Sequence, residues 1–166
     1  MLSCGSIRGQ RLQRKGALNK MALISVTRLR VRSFIYLPQF LWDTFKSMRQ
    51  VERSSGFVGG RLLVNAKHVF WTMTVWKDQT AMNAYRTGGA HGKAMPKLLN
   101  WCNEAAVVQW TEESSDIPVW PEAQQHMAKE GRLSKVNHPS PVQVSNHIPG
   151  PEPSRIQRKL KPVLKV

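Results

Sequence analysis

A chain of 166 residues is about one domain long, with room for a modest core and little for a second. Its 25 Lys and Arg against 10 Asp and Glu give a net charge of +15, of which +5 falls in residues 1–20 and +4 in residues 139–166. That excess raises nucleic acid as a partner, but there is no zinc-finger spacing, phosphate-binding loop or Arg-rich helix with base-stacking aromatics, so specific nucleic-acid binding is not expected.

Residues 1–20 carry Arg8, Arg11, Arg14, Lys15 and Lys20 and no acid. That is the composition of an organellar transit segment; it fits equally a disordered extension upstream of a start at Met21. Cys4 and Cys102 lie in unlike contexts, so no disulfide is expected, Cys102 reads as a small core residue, and a reducing cytoplasmic setting fits. No run approaches the ~20 apolar residues of a bilayer span.

Residues 21–113 are expected to form one folded unit. Ala22 to Val31 is rich in β-branched residues, with Ile24, Val26 and Arg28 on one side, and reads as a first strand. Phe34, Leu37, Leu41, Phe45 and Met48 then recur at spacings of three and four, which predicts a helix with that stripe inward. Pro38 fits only its first turn, and Gly56 closes it in a left-handed conformation. Phe57 to Val64 is a second strand, where Gly59 and Gly60 permit a bulge or a close backbone approach. A short turn at residues 65–67 leads to a third strand, His68 to Trp76, dense in β formers, so the two make a hairpin.

Asp78 is placed to cap a helix holding Ala81, Met82 and Tyr85, which stops at Gly88 and Gly89. A second helical piece, residues 91–103, contains Pro96 and predicts a kink or a late start. Alternation from Ala105 to Thr111 makes the last strand. The order is strand, helix, strand, strand, split helix, strand: an α+β, ferredoxin-like β-α-β-β-α-β antiparallel sheet with helices on one face. Strand three is apolar on both sides, so its other face is expected to meet a second subunit, giving a homodimer. Residues 114–138 read as an extension with a short helix at 122–129. Prolines at 139, 141, 149, 151, 153 and 162 predict a basic, disordered tail over residues 139–166.

The five histidines show no close paired spacing and no clustered carboxylate, so no metal is expected.

Gly56-Phe57-Val58-Gly59-Gly60 and Thr74-Val75-Trp76-Lys77-Asp78, with Ala81, Met82, Tyr85 and His91 following, resemble the turn and strand-to-helix signature of antibiotic biosynthesis monooxygenase-like domains, of the dimeric α/β-barrel superfamily. The likeness spans about ninety residues and speaks to fold more than to reaction. Haem-degrading members of that superfamily use an asparagine, a tryptophan and a histidine where this chain has Thr27, Tyr85 and Met95, so haem degradation is not expected. The resemblance implies a cofactor-independent monooxygenase that deprotonates an aromatic or polyene substrate and lets its anion react with dioxygen.

Such chemistry needs a base, oxyanion donors and an apolar wall. On this reading His91 is the base, Arg28 with Tyr85 or Trp71 the donors, and Trp42, Trp76 and Met95 the walls. Each has a plainer role: His91 as a helix-start residue bonded to backbone, the tryptophans as core or dimer contacts, Arg28 reaching solvent. Two further readings stay open. One is a non-catalytic dimeric module whose basic tails contact an acidic partner or nucleic acid; the other is a dehydratase or isomerase using the same pocket.

Overall fold

A computed structural model describes residues 21–163; Cys4 and the basic segment 1–20 lie outside them. The elements, in chain order, are β1 (Ala22–Val31), α1 (Leu37–Val51), β2 (Phe57–Asn65), β3 (Val69–Trp76), α2 (Gln79–Thr87), α3 (Gly89–Trp101), β4 (Cys102–Glu112), α4 (Trp120–Glu130), β5 (Arg132–Leu133), α5 (Pro141–Val144) and β6 (Ile156–Leu160). One six-stranded antiparallel sheet runs β5-β4-β1-β3-β2-β6. Its inner four strands have the ferredoxin-like order, and α1, α2 and α3 cover one face. Among the described residues no helix is long and apolar enough to cross a membrane.

Local signals set most of these boundaries. Asp78 accepts a hydrogen bond from the Ala81 amide at 2.8 Å and so starts α2. Pro38 falls in the first turn of α1, and Gly56 sits at φ +77° behind that helix. A Cβ on Gly60 would stand 2.4 Å from the Met73 carbonyl oxygen; with the register shift between Phe57 and Gly59, both expected consequences of the glycine pair occur. Pro96 lies inside α3, where it withholds one helical N–H.

Alternation divides the sheet's side chains into two layers. Leu23, Val51, Trp76 and Met82 pack on the α1–α3 side. Ile24, Val26, Trp71, Met73, Val75, Val108 and Trp110 form the opposite layer, together with Ala123 and Met127 of α4 and the partly buried Ile117, Trp120, Leu133 and Ile148. Here the expectation needs correction: the face assigned to a second subunit is covered by the chain's own residues 117–148. The homodimer expectation loses the surface on which it rested.

Residues 139–163 differ from expectation as well. The prolines at 139–153 predicted disorder, yet β6 pairs with β2 from Gly60↔Leu160 to Val64↔Ile156. Side chains supply what proline cannot donate: Ser140 caps α5, Gln143 Nε2 donates to the Ser134 carbonyl at 2.9 Å, and Asn65 donates to the Glu152 carbonyl. The Val163 amide reaches the Glu52 carbonyl at 2.7 Å.

The first helix is rotated from its predicted phase. Phe40, Asp43 and Val51 are its buried residues, whereas Leu41 and Phe45 are exposed. Apolar side chains at 37, 38, 40, 41, 42, 45, 48 and 51 cover a broad arc of α1, so spacing alone admits several stripes, and contact with the sheet selects one.

Candidate functional site

Between the sheet and α1–α3 lies a cavity of about 640 Å³. Its sheet floor sets Ser25, Thr27, Thr72, Thr74 and Gln109 among Leu29, Leu62, Phe70, Trp76 and Val107; Phe40 and Met48 of α1 and Ala94 and Leu98 of α3 make an apolar roof. Thr74 Oγ1 donates to the Ser25 carbonyl at 3.4 Å, and Gln109 Nε2 to Ser25 Oγ at 3.5 Å. Hydroxyl and amide groups set in a mostly apolar lining suit a ligand that is mostly apolar with a few oxygens.

Four of the predicted site residues meet there: Tyr85, His91, Trp76 and Met95 all line the cavity. The Tyr85 ring lies 4.5 Å from His91 and 5.2 Å from Trp76, centroid to centroid. His91 Nδ1 is 3.0 Å from the Arg86 carbonyl oxygen. A carbonyl only accepts, so Nδ1 carries the proton and Nε2 keeps its lone pair. Burial pushes the His91 pKa below its ordinary value and the Arg86 charge adds to that, against the opposing hydrogen bond to the Arg86 carbonyl; the ring is neutral at neutral pH. Burial raises the Tyr85 phenol well above its usual range, so it is an O–H donor there. Its hydroxyl has only a long contact, 3.5 Å, to the Ser47 carbonyl. Trp76 Nε1 is buried with no partner among the described residues.

Gln50 organises this group and was not anticipated. Its Oε1 accepts from the His91 amide at 2.8 Å, and its Nε2 donates to the Tyr85 and Gly88 carbonyls at 3.2 and 3.1 Å. One amide thus ties α1 to the end of α2 and the start of α3. Gly89, at φ +55°, permits the approach: a Cβ there would fall 2.7 Å from Gln50 Oε1. Asp43 also lines the cavity, where Lys46 and Lys97 hold it at 2.6 and 2.7 Å. Hydrogen bonds from Lys46 and then Lys97 keep its pKa below the usual carboxylate range.

Three candidates stand elsewhere. Trp42 is 62 % exposed and is not part of the cavity wall. Trp71 shares the layer of Val26 and Met73, and although it borders the cavity its indole packs edge-on to Trp120 at 6.4 Å. Arg28 is buried in that same layer, where its guanidinium donates to Glu104 Oε2 at 2.6 Å. Arg30 and Ser140 donate to Glu104 Oε1, each at 2.9 Å. Burial pushes the Glu104 pKa up, but the hydrogen bonds from Arg28, Ser140 and Arg30 outweigh it and hold the carboxyl below its ordinary value. The anion that Arg28 requires is therefore internal. Cys102 is buried, and burial pushes its thiol pKa up to about 12, so it packs as a small apolar group.

The expectation of no metal rested on the lack of close spacing, and folding overrides that argument. Among the described residues, Glu112 at the end of β4 meets Glu122 and His126 of α4, with one donor atom from each within 4.8 Å of the others. Trp110 Nε1 donates to Glu112 Oε1 at 2.9 Å, and its indole stacks on His126 at 4.0 Å. Burial and then the neighbouring Glu112 raise the Glu122 pKa. These three side chains are the set that could take a cation. They lie on the α4 side of the sheet, away from the cavity lining.

No protein-family model matches the chain, and no curated protein matches it. Solved structures do. A protein of unknown function from Nitrosomonas europaea overlays with TM-score 0.50 at 12 % identity, covering 61 % of this chain and 98 % of its own. An antibiotic biosynthesis monooxygenase overlays at 0.48 with 13 % identity, over 53 % and 95 %. SnoaB, a cofactor-independent oxygenase from Streptomyces nogalater, overlays at 0.46 with 16 % identity, over 56 % and 94 %. Antibiotic biosynthesis monooxygenases are thus among the structural neighbours; what the overlay at 0.50 shows is a shared α+β fold and nothing of its chemistry.

Proposed function

We propose that the cavity carries out cofactor-independent monooxygenation of an electron-rich aromatic or polyene compound. The observation that carries this reading is His91: a neutral imidazole whose Nδ1 is committed to the Arg86 carbonyl, in the wall of a cavity large enough for a tricyclic ligand. Nε2 takes a proton from an activated CH₂ flanked by aromatic rings. The carbanion adds dioxygen at carbon, and the resulting peroxide loses water to leave a ketone, so that CH₂ and O₂ become C=O and H₂O. Tyr85 O–H and Trp76 Nε1–H are the donors for the charge that builds on the substrate oxygen during proton removal. Arg28 takes no part, since its charge is spent on Glu104.

The test is oxygen uptake with an anthrone panel, product identified by mass. His91→Ala is expected to lower kcat by about 10²–10⁴, the usual contribution of a general base, while anthrone affinity, read by fluorescence quenching, changes little. The base works deprotonated, so wild-type rate should fall as pH drops through the His91 pKa, which lies below 6.5. Wild-type turnover no faster than that of His91→Ala would remove the proposal.

A further inference from the structure

The cavity touches the outer side of α1 only at Leu41 among the described residues. Phe34 and Ile35, in the 3-10 turn before α1, are 75 % and 76 % exposed; Leu41, Trp42 and Phe45 follow at 49 %, 62 % and 38 %. Positions 34, 38, 41, 42, 45 and 49 recur at spacings of three and four and so share one face. At 1.5 Å per residue the stripe from Phe34 to Phe45 runs roughly 16 Å. Trp42 and Phe45 stack on each other at 6.0 Å, which presents a flat apolar surface to solvent.

Cations border this surface. Lys46 Nζ is 5.9 Å from the Trp42 ring, and the Arg49 guanidinium is 5.7 Å from that of Phe45. One turn further, Lys46, Arg49 and Arg53, with Gln50, Ser54 and Ala90, line an open depression of about 560 Å³. No acid lines it. The one acid of α1, Asp43, is buried and already held by Lys46 and Lys97.

The pairing of apolar stripe and basic depression discriminates among occupants. A second copy docking by two-fold symmetry would bury the apolar row but present the same face, which carries no free acid to pair with Arg49 and Arg53. A nucleic acid strand would fill the depression and stack on Trp42, but it has no use for Ile35 and Leu41. An anionic lipid surface satisfies both halves: headgroup phosphates for the cations, the acyl boundary for the apolar row. We infer that the outer face of α1 docks on anionic membrane, with Phe34, Ile35, Leu41, Trp42 and Phe45 entering the interface and Arg49 and Arg53 holding phosphates. Leu41 and Met95 both line the cavity and are about half exposed. If the monooxygenase reading holds, docking therefore brings the cavity rim to the lipid, the reservoir of a polyene substrate.

The experiment is co-sedimentation of the full chain with phosphatidylcholine vesicles, with and without phosphatidylglycerol, at low and high salt. Binding is expected only to the anionic vesicles, weakening as salt rises. It should come with a blue shift of tryptophan emission that is lost in Trp42→Phe while binding persists. The pair Arg49→Glu and Arg53→Glu, exposed and structurally mild, should weaken binding by about tenfold or more, since each basic group near an anionic surface adds affinity; Phe45→Ser should also weaken it. Absence of binding overturns the inference. So does binding unchanged in the charge-reversed pair, which assigns it to the basic tails; a solution dimer dissociated by Phe45→Ser, which assigns the face to a second copy; or single-stranded RNA binding lost in these variants while vesicles are ignored. Partition is measured without substrate, so its failure and a failure of oxygen uptake are read separately.

Discussion

The same four central strands build two unlike layers. Toward α4 the sheet presents Ile24, Val26, Trp71, Met73 and Val75, each no more than 2 % exposed, closed off by the ion cluster around Glu104. Toward α1–α3 it presents Ser25, Thr27, Thr72 and Thr74 beneath a cavity. Successive residues of one strand thus meet opposite surroundings: one layer is filled, and its neighbour lines a cavity. A thin domain can carry a large cavity because its second layer is supplied by the extension after β4.

That contrast can be broken most severely at Arg28. Arg28→Ala leaves buried Glu104 with only Ser140 and the partly exposed Arg30 on its other oxygen, and should cost about 3 kcal/mol, the low end of the usual loss on removing one partner of a buried ion pair. Urea denaturation measures it; a loss under about 1 kcal/mol would show that the layer does not depend on the pair. Met127→Ala, at a side chain 1 % exposed against the sheet, should cost about 2–3 kcal/mol as a cavity opens under α4. On the open side the effect is smaller and depends on pH. His91 has a folded pKa below its ordinary 6.5, and Glu104 one below 4.5. In both cases the unfolded chain takes up the proton first. Stability should therefore be fully present at neutral pH, begin to fall below about 6.5 through His91 and fall further below about 4.5 through Glu104. Thermal melts of His91→Gln should lose the first step and keep the second; if both persist, His91 is not the group titrating.

The sequence made the core fold legible because its signals were local. Asp78, Gly56, the Gly59–Gly60 pair and the β-branched run from Ala22 each act within a few residues of themselves, and each did what it predicts. What was missed depends on distant partners. Arg28 was placed correctly beside Ile24 and Val26, but its anion lies 76 residues away on β4. Glu104 sits opposite Arg30 in the β1–β4 register, so pairing the strands on paper could have found it. The fit of Met127 against the second face, and Gln50 against His91, left no comparable trace. The tail was misread because proline content was taken for disorder, whereas Ile156 to Leu160 needed only an open edge beside β2 to become a strand. Of the residues the family likeness suggested, Tyr85, Trp76, His91 and Met95 line the cavity; Trp42, expected as a wall, lies outside it, and the pleat turns Trp71, expected as a donor, toward the other layer.

The cover over the second face has one more consequence. A subunit that supplies such a cover from outside can be diluted away, and the stability it lends falls with protein concentration. Here α4 is joined to β4 through residues 113–119, and a tether that short holds it at an effective concentration on the order of millimolar. The hydrophobic closure of the sheet is thus a property of each single molecule, kept at any abundance, and the surface of α1 is left free of that duty.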